Sequence, residues 1–290
     1  MRKLEYHEIP AQLFEIPQPP KELWIEGTLP ESDTVYLTIV GSRKHTYYGR
    51  DVCQMLIEGL AGYPITIVSG LSIGMDTIAH TAALKAGLRT IAFPGSGLSN
   101  EVLYPRRNWQ LANDIVTSGG ALISELAPDT KPALWTFPRR NRLMAGLSHA
   151  VLIIEAEEKS GTLITARLAL DYNKDVFVVP GSIFSPTSNG TNKLIHDGAH
   201  PITSSLDLLH ALGFDPTLDT PSNHKRNSDA LYETLTNQEK IVFDIIKQGP
   251  INREDLVRTV GYTPQELNII LSKFELEDCI SYENDTIYPV

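Results

Sequence analysis

Val35-Tyr36-Leu37-Thr38-Ile39-Val40-Gly41-Ser42-Arg43-Lys44 decides the fold of this chain. Apolar, aromatic and β-branched residues run without polar alternation into a glycine, a hydroxyl and two cations. That is the pattern of a strand buried on both faces that ends at a ligand-binding edge. Comparable runs recur at 65–69, 90–93, 121–124, 151–155 and 176–179. The stretches between them, such as 50–60, 76–86 and 165–172, space their apolar residues as helices packed on a sheet do. Strand alternating with helix at this length predicts an α/β domain over 35–212 with a doubly wound, mainly parallel sheet.

On either side of this domain the pattern changes. Residues 1–34 carry Pro10, Pro17, Pro19, Pro20 and Pro30, which deny them a regular helix or a central strand and predict an extended arm packed on the sheet domain. Residues 213–235 are polar and include Pro216, Pro221, Asn223, Lys225, Arg226, Asn227 and Ser228, so they are expected to be a linker. After them, Thr236-Asn237-Gln238-Glu239 has the form of a capping box before the apolar-periodic 241–246. Two further helices over 251–257 and 263–276, then a hairpin over 279–282 and 286–288, predict a small winged-helix-like domain at 236–290.

Composition excludes several classes. With 290 residues, 42% of them hydrophobic, the chain is neither disordered nor collagen-like. Cys53 and Cys279, far apart, suggest reduced thiols rather than a disulfide scaffold. No apolar run approaches the roughly 20 residues that span a bilayer, and no signal-peptide core follows Met1-Arg2-Lys3-Leu4-Glu5, so a cytoplasmic address is expected. The net charge of -10 argues at first against a polyanionic ligand, yet it is unevenly spread. Residues 1–34 sum to -4, 35–210 to +1, 211–235 to -2 and 236–290 to -5. Within the near-neutral middle, cations gather in loops: Arg43-Lys44, Arg106-Arg107, and Lys131 with Arg139, Arg140 and Arg142. Such clusters can make one positive face on a neutral domain.

In an open parallel sheet, ligands bind beyond the carboxyl ends of the strands. The residues there are Gly41-Ser42-Arg43-Lys44, Ser69-Gly70-Leu71-Ser72, Pro94-Gly95-Ser96-Gly97, Ser124-Glu125, Ser160-Gly161-Thr162 and Pro180-Gly181. Glycines let backbone approach an anion, and hydroxyls and exposed N–H groups supply donors, although any one such loop is more often simply a tight turn. No G-x-G-x-x-G follows the first strand and no G-x-x-x-x-G-K-[ST] occurs, which lowers the case for a dinucleotide enzyme or a P-loop ATPase. The eight histidines form no metal-ligand spacing, and His80, one turn after Asp76, reads as a capping or buried hydrogen-bonding residue. No metal or cofactor is expected.

At these strand ends the chain resembles the DprA/Smf family of DNA-processing proteins. The resemblance is carried by Gly41-Ser42-Arg43, Ser69-Gly70-Leu71, Gly74-Met75-Asp76, Ala79-His80, Tyr104-Pro105, Ser124-Glu125, Phe137-Pro138-Arg139-Arg140-Asn141-Arg142, Ser160-Gly161-Thr162, Thr165-Ala166, Val179-Pro180-Gly181 and Gly190-Thr191-Asn192. It implies an extended Rossmann-like domain that binds single-stranded DNA, forms a homodimer, and helps load the RecA recombinase during natural transformation. Only 34 residues precede the first strand, where some longer members carry a helical domain. The tail resembles the family's C-terminal winged helix, but at -5 it is poorly matched to phosphate, which favours a protein-contact or structural role for it.

The candidate DNA-binding residues follow the loops. They are Ser42, Arg43 and Lys44 after the first strand and Arg106 after the third. After the fourth come Lys131, Trp135, Phe137, Arg139, Arg140, Asn141 and Arg142. Ser160 and Arg167 follow the fifth, and Asn192 and Lys193 the sixth. Single-strand binders interleave cations with aromatic stacking platforms. Trp135 is the better platform, because Phe137 serves equally as a core anchor for the helix that follows. Arg140 and Arg142, two residues apart, cannot share one side of a helix, so at least one has a carboxylate such as Glu125 or Glu155 as an alternative partner. Arg43, Lys131 and Arg139 are expected to form a phosphate-binding surface. Homodimerisation is placed near 192–212. The rival reading is a nucleotide-binding enzyme of the nucleoside-monophosphate phosphoribohydrolase type, which Pro180-Gly181 and Gly190-Thr191 echo at the wrong spacing. A further alternative is an interaction scaffold whose glycine loops are only turns.

Overall fold

The computed structural model describes residues 1–30, 34–215, 235–246, 251–276, 280–283 and 286–289. The chain divides into two compact units, Met1–Thr220 and Pro221–Val290.

The first unit is built on nine strands: β1 (Arg2–Lys3), β2 (Trp24–Gly27), β3 (Val35–Val40), β4 (Ile65–Ser69), β5 (Thr90–Ala92), β6 (Ala121–Ser124), β7 (Ala150–Ile153), β8 (Asp175–Val178) and β9 (His200–Pro201). Their order is β1-β2-β6-β5-β4-β3-β7-β8-β9. All neighbours from β6 to β9 run parallel, while β2 joins β6 and β1 joins β2 antiparallel. The chain winds outward from β3 through β4, β5 and β6, then returns to start again at β7. The connections leaving β3 and β7, aligned with Val40 opposite Ile153, therefore diverge to opposite faces and leave a crevice between them. The expected doubly wound α/β sheet is present.

Strand alternation sorts the core into two layers. Leu37 and Ile39 of β3 face α1 (Tyr47–Glu58) and α2 (Met75–Lys85) through Leu56, Ile57, Ala79 and Ala83. Tyr36 and Val40 face the opposite layer, α4 (Thr136–Leu147) and α5 (Thr162–Asp171), through Leu143, Met144, Ala166 and Ala169. Thr38, also on that side, hydrogen-bonds to Ser148 and to the Met144 carbonyl, so its buried hydroxyl is satisfied. Between these elements, α3 (Trp109–Thr117) covers β5 and β6 with Ala112 and Ile115, and α6 (Asn189–His196) and α7 (Ser205–Ala211) follow β8 and β9. Cys53 is buried in α1, and desolvation pushes its thiol up to about 12.

The proline-rich arm does pack along the domain, burying Leu4, Ile9, Leu13, Ile16, Leu23 and Ile25 in the α4–α5 layer. It also joins the sheet. Trp24–Gly27 lies between Pro20 and Pro30, so no N–H within it is lost to proline, and it pairs with β6 on one side and β1 on the other. Gly146 allows the close approach: a Cβ there would stand 2.6 Å from Cγ2 of Ile16.

The second unit contains α8 (Asn237–Ile246), α9 (Arg253–Val260) and α10 (Pro264–Leu276), with a three-stranded antiparallel sheet ordered β10 (Ile251–Asn252), β12 (Thr286–Pro289), β11 (Ile280–Glu283). Val242, Phe243, Leu256, Leu267 and Phe274 form its core. The capping box is reciprocal: Thr236 N donates to Glu239 Oε2 at 2.7 Å, and Glu239 N donates to Thr236 Oγ1 at 3.3 Å. Most of the expected linker, with its prolines and cations, and Cys279 lie outside the described residues.

Candidate functional site

The crevice beyond β3 holds a groove of about 520 Å³, lined by the loop after β3, Ser72 and Asp76 after β4, the first two turns of α4, and the segment entering α5. Gly41 and Gly74 set the loop against the start of α2. A Cβ on Gly41 would meet Met75 at 2.7 Å, and Gly74, at φ +86°, brings its own α-carbon hydrogen where a Cβ would strike the Arg43 backbone at 2.6 Å. Met75 N donates to the Ser42 carbonyl at 3.1 Å, and Lys44 N donates to Ser42 Oγ at 3.0 Å. These bonds fix a short turn from which the exposed Arg43 and Lys44 project. Arg43 lies over the ring of Phe137, 5.4 Å from its centroid, so a cation and an aromatic face from two different loops meet at the groove. On the far side, Thr162 Oγ1 donates to the Gly41 carbonyl at 3.2 Å, and Thr162 N donates to Ser160 Oγ at 3.1 Å. Glu157 supplies a carboxylate among the lining residues.

Beside the groove, Glu155 acts as an anchor. Its buried carboxylate accepts Thr46 N at 2.9 Å, Thr46 Oγ1, and Thr187 Oγ1 at 3.2 Å. Thr46 in turn caps α1 by accepting Gly49 N at 3.1 Å. One carboxylate thus holds together the connections leaving β3, β7 and β8.

The groove floor is ionic but internally compensated. Arg140 is buried and donates through Nη1 to the carbonyls of Gly70 and Phe93, and through Nε to Asn141 Oδ1 at 3.0 Å. Burial lowers its guanidinium to about 10 against the support of Asp76, so it remains charged at neutral pH. Asp76 accepts Ser72 N at 3.1 Å, and burial raises its carboxyl while Arg140 opposes the rise. His80 does not pair with Asp76. Its Nδ1 shares a 2.7 Å hydrogen bond with Thr90 Oγ1, its Nε2 has no partner, and burial lowers the ring to about 3. With Arg140 engaged by backbone and by Asp76, the exposed cations among the groove-lining residues are Arg43 and Lys44.

Seven of the sequence-derived candidates come together here: Ser42, Arg43, Lys44, Phe137, Arg140, Asn141 and Ser160. Arg139 and Arg142 instead face a second cleft of about 960 Å³ between the arm and α5. Both pair with Glu125, Arg139 Nε at 2.8 Å and Arg142 Nη2 at 2.5 Å, and Arg142 also donates to the Gln18 carbonyl. The one-carboxylate alternative thus accounts for Arg142, which is buried, and for part of the Arg139 charge. Trp135 is exposed just before α4, with Arg139 over its ring at 6.0 Å. Lys131 is exposed in the connection before it and does not line the groove. Arg106 is exposed on a 3-10 turn after Tyr104, and Arg167 and Lys193 are exposed on α5 and α6. Asn192 is engaged with the Gly181 backbone, accepting its N–H at 3.3 Å and donating to its carbonyl at 3.0 Å. Ser72, Asp76 and Thr162 also line the groove, beyond the candidates named from the sequence. Their place in the segments that follow β4 and β7 is the signal that marks them.

Among the described residues no helix is long and apolar enough to cross a membrane, and no cluster of three or more His, Cys, Asp and Glu side chains could hold a metal ion. The chain is 42% identical over 205 residues to Protein Smf of Escherichia coli, covering 71% of this chain and 54% of that protein. It is 41% identical over 206 residues to the DNA processing protein DprA of Bacillus subtilis, covering 71% and 68%. It spans about half the length of the Smf proteins of Escherichia coli and Synechocystis, 54% and 55%. The crystal structure of DNA processing protein A from Streptococcus pneumoniae superposes with a TM-score of 0.68 at 37% identity, over 73% of this chain and 75% of that one. DNA processing protein A from Helicobacter pylori, whose structure concerns a unique single-stranded DNA binding mode, superposes at 0.64 and 33% identity, over 72% and 94%. Residues 2–213 match the DNA recombination-mediator protein A family, and the chain belongs to that family.

Proposed function

We propose that this chain binds single-stranded DNA along the switch-point groove and acts as a recombination mediator rather than as a hydrolase. The observation that carries this reading is the meeting of exposed Arg43 and Lys44 with the Phe137 ring at the crevice where a doubly wound sheet takes its ligands. Phosphates neutralise the two cations, while a base lies toward the ring and the hydroxyls of Ser42 and Ser160. The Helicobacter pylori relative, with its single-stranded DNA binding mode, and the family's recombination-mediator description support the same reading.

The mediator role extends, in this reading, to helping load the RecA recombinase on DNA entering by natural transformation, in the cytoplasm. The protein works as a homodimer joined near 192–212, where Leu206 is half exposed on α7. Light scattering at tens of micromolar tests the dimer: a monomer there contradicts it. A fluorescence-anisotropy titration against single- and double-stranded oligonucleotides tests the binding. Tighter, salt-dependent capture of the single strand is expected, and equal or absent binding of both forms contradicts the reading. Nucleoside monophosphates incubated with the protein are expected to keep their bases, whereas base release would favour the phosphoribohydrolase alternative.

A further inference from the structure

We propose that the bound strand continues out of the groove onto a second, stacking segment formed by Tyr104, Arg106, Arg107 and Trp109. This inference rests on the single-strand reading of the groove and assigns the nucleotides beyond it.

Two observations join this segment to the groove, and a third places an aromatic ring at its far end. The Tyr104 ring stands edge-to-face with Phe137, centroids 6.1 Å apart and planes at 66°, so the aromatic surface under Arg43 continues to a ring that is 43% exposed. Asn108, buried beneath the segment, donates through Nδ2 to the carbonyls of Leu71 at 2.7 Å and Ser72 at 3.2 Å and to Thr77 Oγ1 at 2.8 Å. Ser72 lines the groove, so the turn carrying Arg106 and Arg107 is fastened to the groove wall. Trp109 begins α3 with 42% of its surface exposed, and its indole N–H points to Asn100 Oδ1 at 3.4 Å.

Chemistry identifies the occupant. Arg106 and Arg107 are exposed, and neither guanidinium forms an ion pair among the described residues. Glu101 is the single acidic residue in 94–110, so the segment is net positive in a chain of net charge -10. Two free cations between two half-exposed aromatic rings suit a sugar-phosphate backbone whose bases stack on every step. They offer no arrangement for reading base edges, so recognition should be independent of sequence.

Oligomer length separates this segment from the groove. Oligo-dT of about 4 nucleotides fills the groove alone, and oligo-dT of about 16 reaches beyond it, within the range of known single-strand site sizes. In the full chain, the double change Arg106→Ala and Arg107→Ala should leave the short oligomer's affinity unchanged. It should weaken the long one and flatten its log-affinity against log-salt slope by about 1.4, two contacts at about 0.7 each. Trp109→Ala should weaken the long oligomer by about fivefold or more without changing the slope, and Trp109→Phe should retain most of the affinity. Circular dichroism and thermal melting establish that each variant is folded. If folded variants bind both lengths as the parent does while Arg43→Ala weakens both, the second segment is wrong and the groove stands. If Arg43→Ala weakens neither length, the groove reading fails and the continuation fails with it.

Discussion

Arg43, from the loop after β3, lies over Phe137, from the first turn of α4, with 5.4 Å between the guanidinium carbon and the ring centroid. The two residues are nearly a hundred positions apart in sequence, yet the switch point of the sheet makes them neighbours. Phe137 also packs against Gly95, where a Cβ would meet its Cδ1 at 2.6 Å, so the ring that supports the cation is itself held closely.

That pairing predicts a difference between shape and aromaticity. Phe137→Leu keeps apolar bulk above Gly95 but removes the π face, and should weaken single-stranded DNA by about 1 kcal/mol or more while shifting the melting temperature little. Anisotropy and calorimetry on the same preparation check it. Unchanged affinity would make Phe137 a core anchor only.

Glu125 predicts a stability effect instead. Its carboxylate is 8% exposed and serves both Arg142, at 10%, and Arg139, at 47%. Replacing Glu125 with Ala leaves the Arg142 charge buried with the Gln18 carbonyl as its remaining partner, at a cost of about 3–5 kcal/mol. Arg139→Ala should cost less than about 1 kcal/mol, because Arg139 is half exposed and Glu125 keeps Arg142 as its partner. Denaturant unfolding of the variants measures both.

His80 predicts a proton-linked loss of stability in acid. Its folded value is lowered to about 3 from an ordinary 6.5, so between those limits the unfolded chain binds a proton that the folded chain excludes. Stability contributed by this residue is present above about pH 6.5 and falls as pH drops, by at most about 1.4 kcal/mol per unit. Asp76, whose carboxyl is raised, acts in the opposite sense, binding a proton more readily when folded as the pH approaches the carboxylate range. The contribution of His80 is therefore isolated by comparing the parent with His80→Asn, whose amide can keep the Thr90 bond. The parent should lose stability relative to the variant between pH 7 and pH 5, and parallel curves would contradict the assignment.

Much of this architecture was legible in the sequence because buried parallel strands need no alternation to be recognised. The six runs from 35–40 to 176–179 all correspond to strands within two residues of the observed ends. Strand β2, paired with β1 on one side and β6 on the other, has no local signal, since prolines on both sides of it mark an arm and its pairing is a tertiary event. In the site, spacing brought the right loops forward but could not tell a solvent-facing cation from a buried one. Within four residues of α4, Arg139 is half exposed, Arg140 is spent on the Gly70 and Phe93 carbonyls, and Arg142 is spent on Glu125. Those fates depend on which carbonyls and carboxylates the sheet brings opposite the helix, which no local pattern records.

The charge distribution predicts that the sheet unit suffices for binding. Residues 236–290 sum to -5, whereas the groove cations belong to Met1–Thr220, a unit with its own core. A fragment ending at residue 220 should therefore hold oligo-dT within a fewfold of the full chain. Loss of binding by a folded fragment would move the site to the second unit.

The most direct test of the central claim is the salt dependence of oligo-dT affinity in the parent and in the double variant Arg43→Ala and Lys44→Ala. If the single strand lies on the cations of the switch-point groove, the variant binds more weakly at every salt concentration, and the slope of log affinity against log salt flattens by about 1.4, about 0.7 for each phosphate contact removed. A folded variant with the parent's affinity and the parent's slope would place the strand elsewhere on the molecule.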